Sequence, residues 1–305
     1  MIKVIFGDSR NMREVEDNSV GLVLTSPPYY NAPFDFPDLF PSYADYLSLL
    51  NEVGKEIFRV LEKGKVAVFV VADMRVNGEL YPIVADLIKI MQSLGFKYQE
   101  RIIWKKPEAY IRISKRSGVL IQNPYPLYYY PDNVYEDIVV FKKPGKFVAR
   151  NMEESKIDVN KFQREKWYLS VWEIVNVLPQ DKYSKYTAPF PEELARRVIT
   201  LYSYVGDIVL DPFAGTGTTL KVAKELKRNA IGYEIDLELK DVILERIGTN
   251  TLFGEPQIEI IEREDAKRLR SMLREKIEEK LQEKWLKKKR QKTSQASDLS
   301  TWLGV

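Results

Sequence analysis

The chain contains no cysteine and no histidine. Disulfides and Cys/His zinc sites are excluded, as are mechanisms that need a cysteine nucleophile or a histidine base. No segment approaches the roughly 18 consecutive apolar residues of a membrane span. Residues 1–10 read as a strand and a turn, not as a secretory leader. The expectation is a cytoplasmic protein with no metal and no membrane contact. A strong excess of one charge is missing too: the net charge is +3 over 305 residues. That balance is uneven, because residues 101–150 hold ten Lys/Arg against four Asp/Glu, among many aromatics. Such a segment suits a nucleic-acid face or a solvated basic loop.

Short apolar runs alternate with amphipathic stretches. Strands are predicted at 1–6, 20–24, 65–72, 99–104, 207–210 and 229–233, and helices at 43–61, 80–94, 192–204 and 218–226. This alternation predicts an α/β fold with a doubly wound, mostly parallel sheet. It breaks after Pro107, so 108–182 reads as an inserted smaller lobe, with a short strand at 137–141. It resumes over 183–262. Residues 263–305 read as a charged helix and tail, whose stripe of Leu269, Leu273, Ile277, Leu281 and Trp285 suits packing on the core, a homodimer contact or a DNA contact. Residues 258–266 echo 3–9: a strand, an acid, then a helix. The echo suits either chance similarity or an edge strand at 258–261 beside an inner strand at 2–6.

Two turns carry chemistry. The first, Thr25-Ser26-Pro27-Pro28-Tyr29, follows a buried strand, and its paired prolines fix a loop at the carboxyl end of that strand. In open α/β sheets, ligands bind there. The second runs from Asp211-Pro212-Phe213-Ala214-Gly215 through Thr216, Gly217 and Thr218 to Thr219, between a strand and a helix. Small residues and a helix N-terminus let a ligand approach the backbone. Glu234 ends the next strand, where a carboxylate can accept from both ribose hydroxyls. A phosphate-loop reading fails because no lysine follows the second glycine, and a dinucleotide fingerprint lacks its third glycine. The spacing fits a dinucleotide or an S-adenosylmethionine site.

DPFAGTGTT followed by GYEID resembles the cofactor motifs of DNA amino-methyltransferases, and TSPPY resembles their catalytic motif. The order, catalytic motif first and cofactor motif last, is similar to the beta class of that family. The resemblance implies a seven-stranded Rossmann-like methyltransferase sheet, with 1–107 as the catalytic half, 108–182 as the target-recognition lobe and 183–262 as the cofactor half. It implies S-adenosylmethionine as cofactor and double-stranded DNA as partner, within a restriction–modification system. Ser26, Pro27, Pro28 and Tyr29 are then the catalytic residues. Asp8, Thr25, Lys185, Asp211, Pro212, Phe213, Ala214, Gly215, Gly217, Thr218 and Glu234 are the cofactor residues. Arg112, Lys115, Arg116, Lys142 and Lys143 are the DNA contacts. A serine before Pro-Pro-Tyr leans toward N4 of cytosine, where an aspartate leans toward N6 of adenine. Methylation at C5 of cytosine, a reaction that resembles cysteine chemistry in its own family, is excluded. RNA and protein-glutamine methyltransferases resemble this chain as well, but carry Asn before Pro-Pro-Tyr and place that motif after the cofactor site. A DNA-binding module without activity is the third alternative.

Overall fold

The computed structural model describes residues 1–31, 39–107, 118–177, 189–248, 258–266 and 268. Its centre is a nine-stranded sheet. In chain order the strands are β1 (Ile2–Phe6), β2 (Val20–Thr25), β3 (Leu61–Val71), β6 (Lys97–Lys105), β7 (Tyr135–Lys142), β8 (Val171–Glu173), β9 (Ile208–Asp211), β10 (Asn229–Glu234) and β11 (Ile258–Glu262). They lie side by side as β11-β1-β10-β9-β2-β3-β7-β6-β8. All neighbours pair in parallel except β7, which runs antiparallel to both β3 and β6. This is the expected mostly parallel sheet, with strands added at both edges.

Helices cover both faces, which is why the strands read as nearly unbroken apolar runs. On β3, Val66, Val68 and Val70 point into one core, while Ala67, Phe69 and Val71 point into the other. Helix α1 (Tyr43–Val60) starts at Ser42, whose hydroxyl accepts from the Asp45 N–H. It buries Tyr46, Leu50, Val53 and Ile57 on one side. Helix α2 (Ile83–Ser93) packs on the same face. Helices α5 (Glu192–Tyr202), α6 (Thr218–Glu225) and α7 (Lys240–Ile247) cover the opposite face.

Three details depart from the sequence reading. Helix α2 begins after Pro82, not at Leu80. Residues before it form a hairpin of β4 (Met74–Val76) and β5 (Glu79–Tyr81), turned by Asn77 and Gly78, both at positive φ. Strand β7, expected inside the smaller lobe, lies in the main sheet. Its Ile138, Val139, Val140 and Phe141 are fully buried between the two helical layers. Strand β8 extends the far edge of the same sheet. Short helices α3 (Gly118–Gln122) and α4 (Val159–Arg164) lie between these strands.

The echo between 258–266 and 3–9 has a structural counterpart: β11 pairs with β1 in parallel, Ile2 opposite Ile258 and Phe6 opposite Glu262, with β11 at the edge. The predicted charged helix lies almost wholly outside the described residues. No helix among them is long and apolar enough to cross a membrane.

Candidate active site

Strands β1, β2, β9 and β10 are parallel neighbours, so their carboxyl ends share one rim. The two chemistry-bearing turns meet there. Thr25 Oγ1 donates to Asp211 Oδ1 at 2.7 Å, and Thr219 Oγ1 donates to Asp211 Oδ2 at 2.6 Å. A single buried carboxylate thus joins strand β2, turn 211–218 and helix α6. Burial pushes its pKa up to about 6, opposed by the hydrogen bonds from Thr219, Thr25 and the Phe213 N–H.

Above this junction lies a cavity of about 460 Å³. Its walls include Asp8, all of Ser26, Pro27, Pro28 and Tyr29, and from the second turn Asp211, Pro212, Phe213, Ala214, Gly215 and Thr218. Glu234 closes it from β10. Two predicted cofactor residues do not line it. Thr25 is fully buried and spends its hydroxyl on Asp211. Gly217 sits beneath the turn at φ +84, a left-handed conformation that a side chain would strain, and starts α6. Both shape the cavity from behind. Gly232, on β10, lets the turn approach the strand: a Cβ there would lie 2.8 Å from Leu220 and 3.0 Å from Ala214.

Glu234 is held by three backbone N–H groups. Gly215 donates to Oε2 at 2.8 Å, while Ile235 and Asp236 donate to Oε1 at 2.8 and 2.9 Å. The Gly215 N–H therefore serves the carboxylate. Burial raises the Glu234 pKa to about 7, against the lowering effect of these donors. Asp8 forms no helix cap; it accepts from the Arg10 N–H at 2.9 Å and turns the chain after β1.

The TSPPY loop is braced from two directions. Tyr29 Oη donates to Glu136 Oε2 at 2.8 Å, and Lys106 Nζ pairs with Glu136 Oε1. Burial and the facing Glu136 carboxylate raise the Tyr29 pKa well above that of a free phenol. Next to it, Tyr30 packs edge-on against Tyr81 and Tyr43, with centroids 4.7 and 5.2 Å away. Asn31 exchanges hydrogen bonds with the Phe40 backbone; residues 32–38 lie outside the described residues.

The sequence reading missed Glu136, which braces Tyr29 from outside the cavity lining, and it missed Asp45, Ser48 and Leu49, which line the cavity together with Phe40. Pro189 and Phe190 line it as well; Lys185 lies outside the described residues, as do Arg112, Lys115 and Arg116. Trp104 is structural, with Nε1 donating to the Ile174 carbonyl at 2.8 Å.

Of the two lysines expected at DNA, Lys143 is withdrawn from the surface and Lys142 lies at the rim away from the cavity. Strand β7 is antiparallel, so its carboxyl end lies at the opposite rim; Lys142 pairs with Val66, near the start of β3. Lys143 is buried, and its ammonium donates to the carbonyls of Phe58 and Leu61 and to Asn18 Oδ1. It caps the carboxyl end of α1, where the helix dipole favours a cation.

The DNA methylase family, N6/N4 type, matches residues 20–245 of this sequence. The chain belongs to that family. The methylase is 37% identical over 281 residues to the type II methyltransferase M.MjaI of Methanocaldococcus jannaschii, covering 81% of this chain and 91% of the relative. It is 32% identical to the type II methyltransferase M.MthZI of Methanothermobacter thermautotrophicus, covering 80% and 76%. Among solved structures, a DNA modification methylase of Thermus thermophilus, TTHA0409, complexed with S-adenosyl-L-methionine, superposes with a TM-score of 0.67 at 31% identity. That match covers 86% of this chain and all of the other. The cytosine-N4-specific PvuII DNA methyltransferase shares the fold, with a TM-score of 0.62 at 17% identity over 89% and 90% of the two chains.

Proposed function

We propose that the methylase transfers a methyl group from S-adenosylmethionine to N4 of a cytosine flipped out of double-stranded DNA, as the modification half of a type II restriction–modification pair. The observation that carries this reading is the single cavity shared by Ser26 and Glu234. Its charge suits the cofactor: among the described residues, Asp8, Asp45, Asp211 and Glu234 line it, against Arg10 of the basic residues. When bound, the cofactor supplies an electrophilic methyl on a positively charged sulfur. Glu234 keeps acceptor capacity for the ribose hydroxyls beyond its three backbone donors. Phe213 and Phe190 offer apolar walls, and Lys185 is assigned to the methionine carboxylate.

An exocyclic amine on an aromatic ring is a poor nucleophile because its lone pair is delocalised. Ser26 Oγ and the Pro27 carbonyl accept its two hydrogens, drawing electron density back onto nitrogen. The paired prolines and the Thr25–Asp211 bond fix those acceptors before the base arrives, so little reorganisation remains for the reaction step. Tyr29 and Pro28 pack against the base. A base inside the duplex cannot reach this cavity, so flipping is required.

The DNA face is assigned to the rim that carries the cavity. Tyr135, where β7 begins, stands opposite Lys105, where β6 ends, so the segment before it belongs to that rim. Tyr125, Leu127, Tyr128 and Tyr129 are all exposed there. Arg75 of the β4–β5 hairpin stacks 4.8 Å from the Tyr130 ring. Arg112, Lys115 and Arg116, outside the described residues, remain proposed phosphate contacts.

Single-molecule sequencing of DNA from a host that expresses the methylase tests the reading. Marks at cytosine N4 in one motif are expected, and Ser26→Ala should erase them while cofactor binding persists. Adenine N6 marks would overturn the choice of base, and an active Ser26→Ala enzyme would overturn the role given to that residue.

A further inference from the structure

We propose that Leu127 is a wedge that enters the base stack of the DNA where the target base leaves it. The inference rests on the flipping step of the reading above and names the group that holds the vacated place. A base that swings into the cavity leaves its neighbours unstacked and its partner unpaired. An apolar side chain pushed between base steps offsets that loss.

The segment before β7 presents such a side chain. Pro126 and Leu127 are the central residues of a turn, closed by the Tyr128 N–H on the Tyr125 carbonyl at 3.4 Å. Leu127 is third in this turn, at φ +74, a place that favours glycine or asparagine. The other described non-glycine residues at positive φ are asparagines and lysines. A leucine has no polar group to bond locally and carries the steric cost of that conformation. Packing within the chain does not offset the cost, because Leu127 is 95% exposed. Strain held at a residue so little covered by its own chain points to a contact outside it. Pro124 and Pro126 stiffen the approach. Tyr125, Tyr128 and Tyr129 stand exposed on either side of the tip, with ring faces on which bases can stack. Single apolar residues on a surface are ordinary, whereas several on one turn mark a contact.

Two links hold this turn beside the catalytic loop. On one side Glu136 accepts from Tyr29 Oη at 2.8 Å, and the Val134 carbonyl accepts from the Lys106 N–H at 2.7 Å. On the other, the Tyr130 ring lies 4.8 Å from the Arg75 guanidinium, on the hairpin whose Tyr81 packs against Tyr30. Leu127 is three residues from Tyr130, and three residues span at most about 11 Å. The tip therefore stays at the rim that carries the cavity. A base bound for Ser26 must cross that rim, which makes DNA the occupant of this surface. Arg75 adds positive charge beside the tip, suited to a phosphate flanking the opened step.

The test measures single-turnover methylation at saturating protein and cofactor on two duplexes that carry the motif read by sequencing. In one the target base is paired; in the other it faces an abasic site. Leu127→Gly suits the turn and removes the wedge. On the paired duplex its rate should fall by about ten- to hundredfold, the worth of one leucine side chain taken out of water. On the abasic duplex, where pairing is already lost, the fall should be under about threefold. Leu127→Met, still apolar, should recover most of the loss. The free Leu127→Gly protein should melt no lower than wild type, because glycine accepts the positive φ. Its affinity for S-adenosylmethionine should stay within about twofold, since Leu127 does not line the cavity. An unchanged rate on the paired duplex, or equal losses on both, would overturn the proposal. So would a change of mass in the ultracentrifuge, which would make the turn a contact between two copies of the chain. If wild-type protein methylated neither duplex, the reading of the cavity itself would fail, and the wedge with it.

Discussion

Replacing Asp211 by Asn removes the carboxylate that joins the two functional turns while keeping its size. In the native fold Asp211 is 2% exposed, and its pKa rises from 3.8 to about 6 because burial outweighs three hydrogen bonds. Between those values the folded chain holds a proton that the unfolded chain has lost. Stability from this group is therefore fully present below about pH 4 and is lost as pH rises through 6. The shift of about two units corresponds to roughly 3 kcal/mol, of which about 2 kcal/mol falls between pH 4.5 and 7.5. Asparagine carries no such titration. It can accept from Thr25 and the Phe213 N–H through its carbonyl, and Thr219 can rotate to accept from its amide. Urea unfolding of both proteins at the two pH values should show the variant gaining about 2 kcal/mol on the wild type between pH 4.5 and 7.5. Other groups, Glu234 included, titrate in both proteins and cancel in the comparison. A constant difference at both pH values would refute the claim that burial dominates at Asp211.

Two further outcomes are expected. Glu234→Ala should weaken cofactor binding by about one to two orders of magnitude, as calorimetry reads it, because a charge-assisted acceptor for two hydroxyls is lost and the Gly215, Ile235 and Asp236 N–H groups lose their partner. Lys143→Met should lower stability by about 2–3 kcal/mol in denaturant titrations, since the last carbonyls of α1 lose a buried donor; the salt dependence of DNA affinity should not change, because that ammonium never meets phosphate.

The cavity was legible because its two walls are local sequence features. A strand, a glycine turn and an acid at the end of the next strand report on short-range geometry, as do two prolines after a buried strand. The supports behind those walls were not. Glu136 lies 107 residues from Tyr29, and nothing in its neighbourhood YEDIVVFKK marks it as a partner for a phenol. Lys143 belongs to the same basic run that suggested a nucleic-acid face, yet composition cannot tell a lysine that leaves the surface from one that stays on it. Strand β7 had the right period and length, but the aromatic- and proline-rich surroundings hid that it returns to the main sheet. The β4–β5 hairpin did carry its signal, Asn77-Gly78 between alternating apolar residues, and was overrun by a helix assigned three residues too early.

The place of β1 in the sheet bears on how this protein is made. Strand β1 is flanked by β10 and β11, which are made long after it. Ile2 must await Ala230 on one side and Ile258 on the other, so Asp8 acquires its wall of the cavity only after those strands are made. Pairing over such separations makes folding slow. Nascent and prematurely terminated chains should therefore carry the catalytic tetrapeptide without a completed donor pocket, and modification would begin only with chains that have been translated past β11.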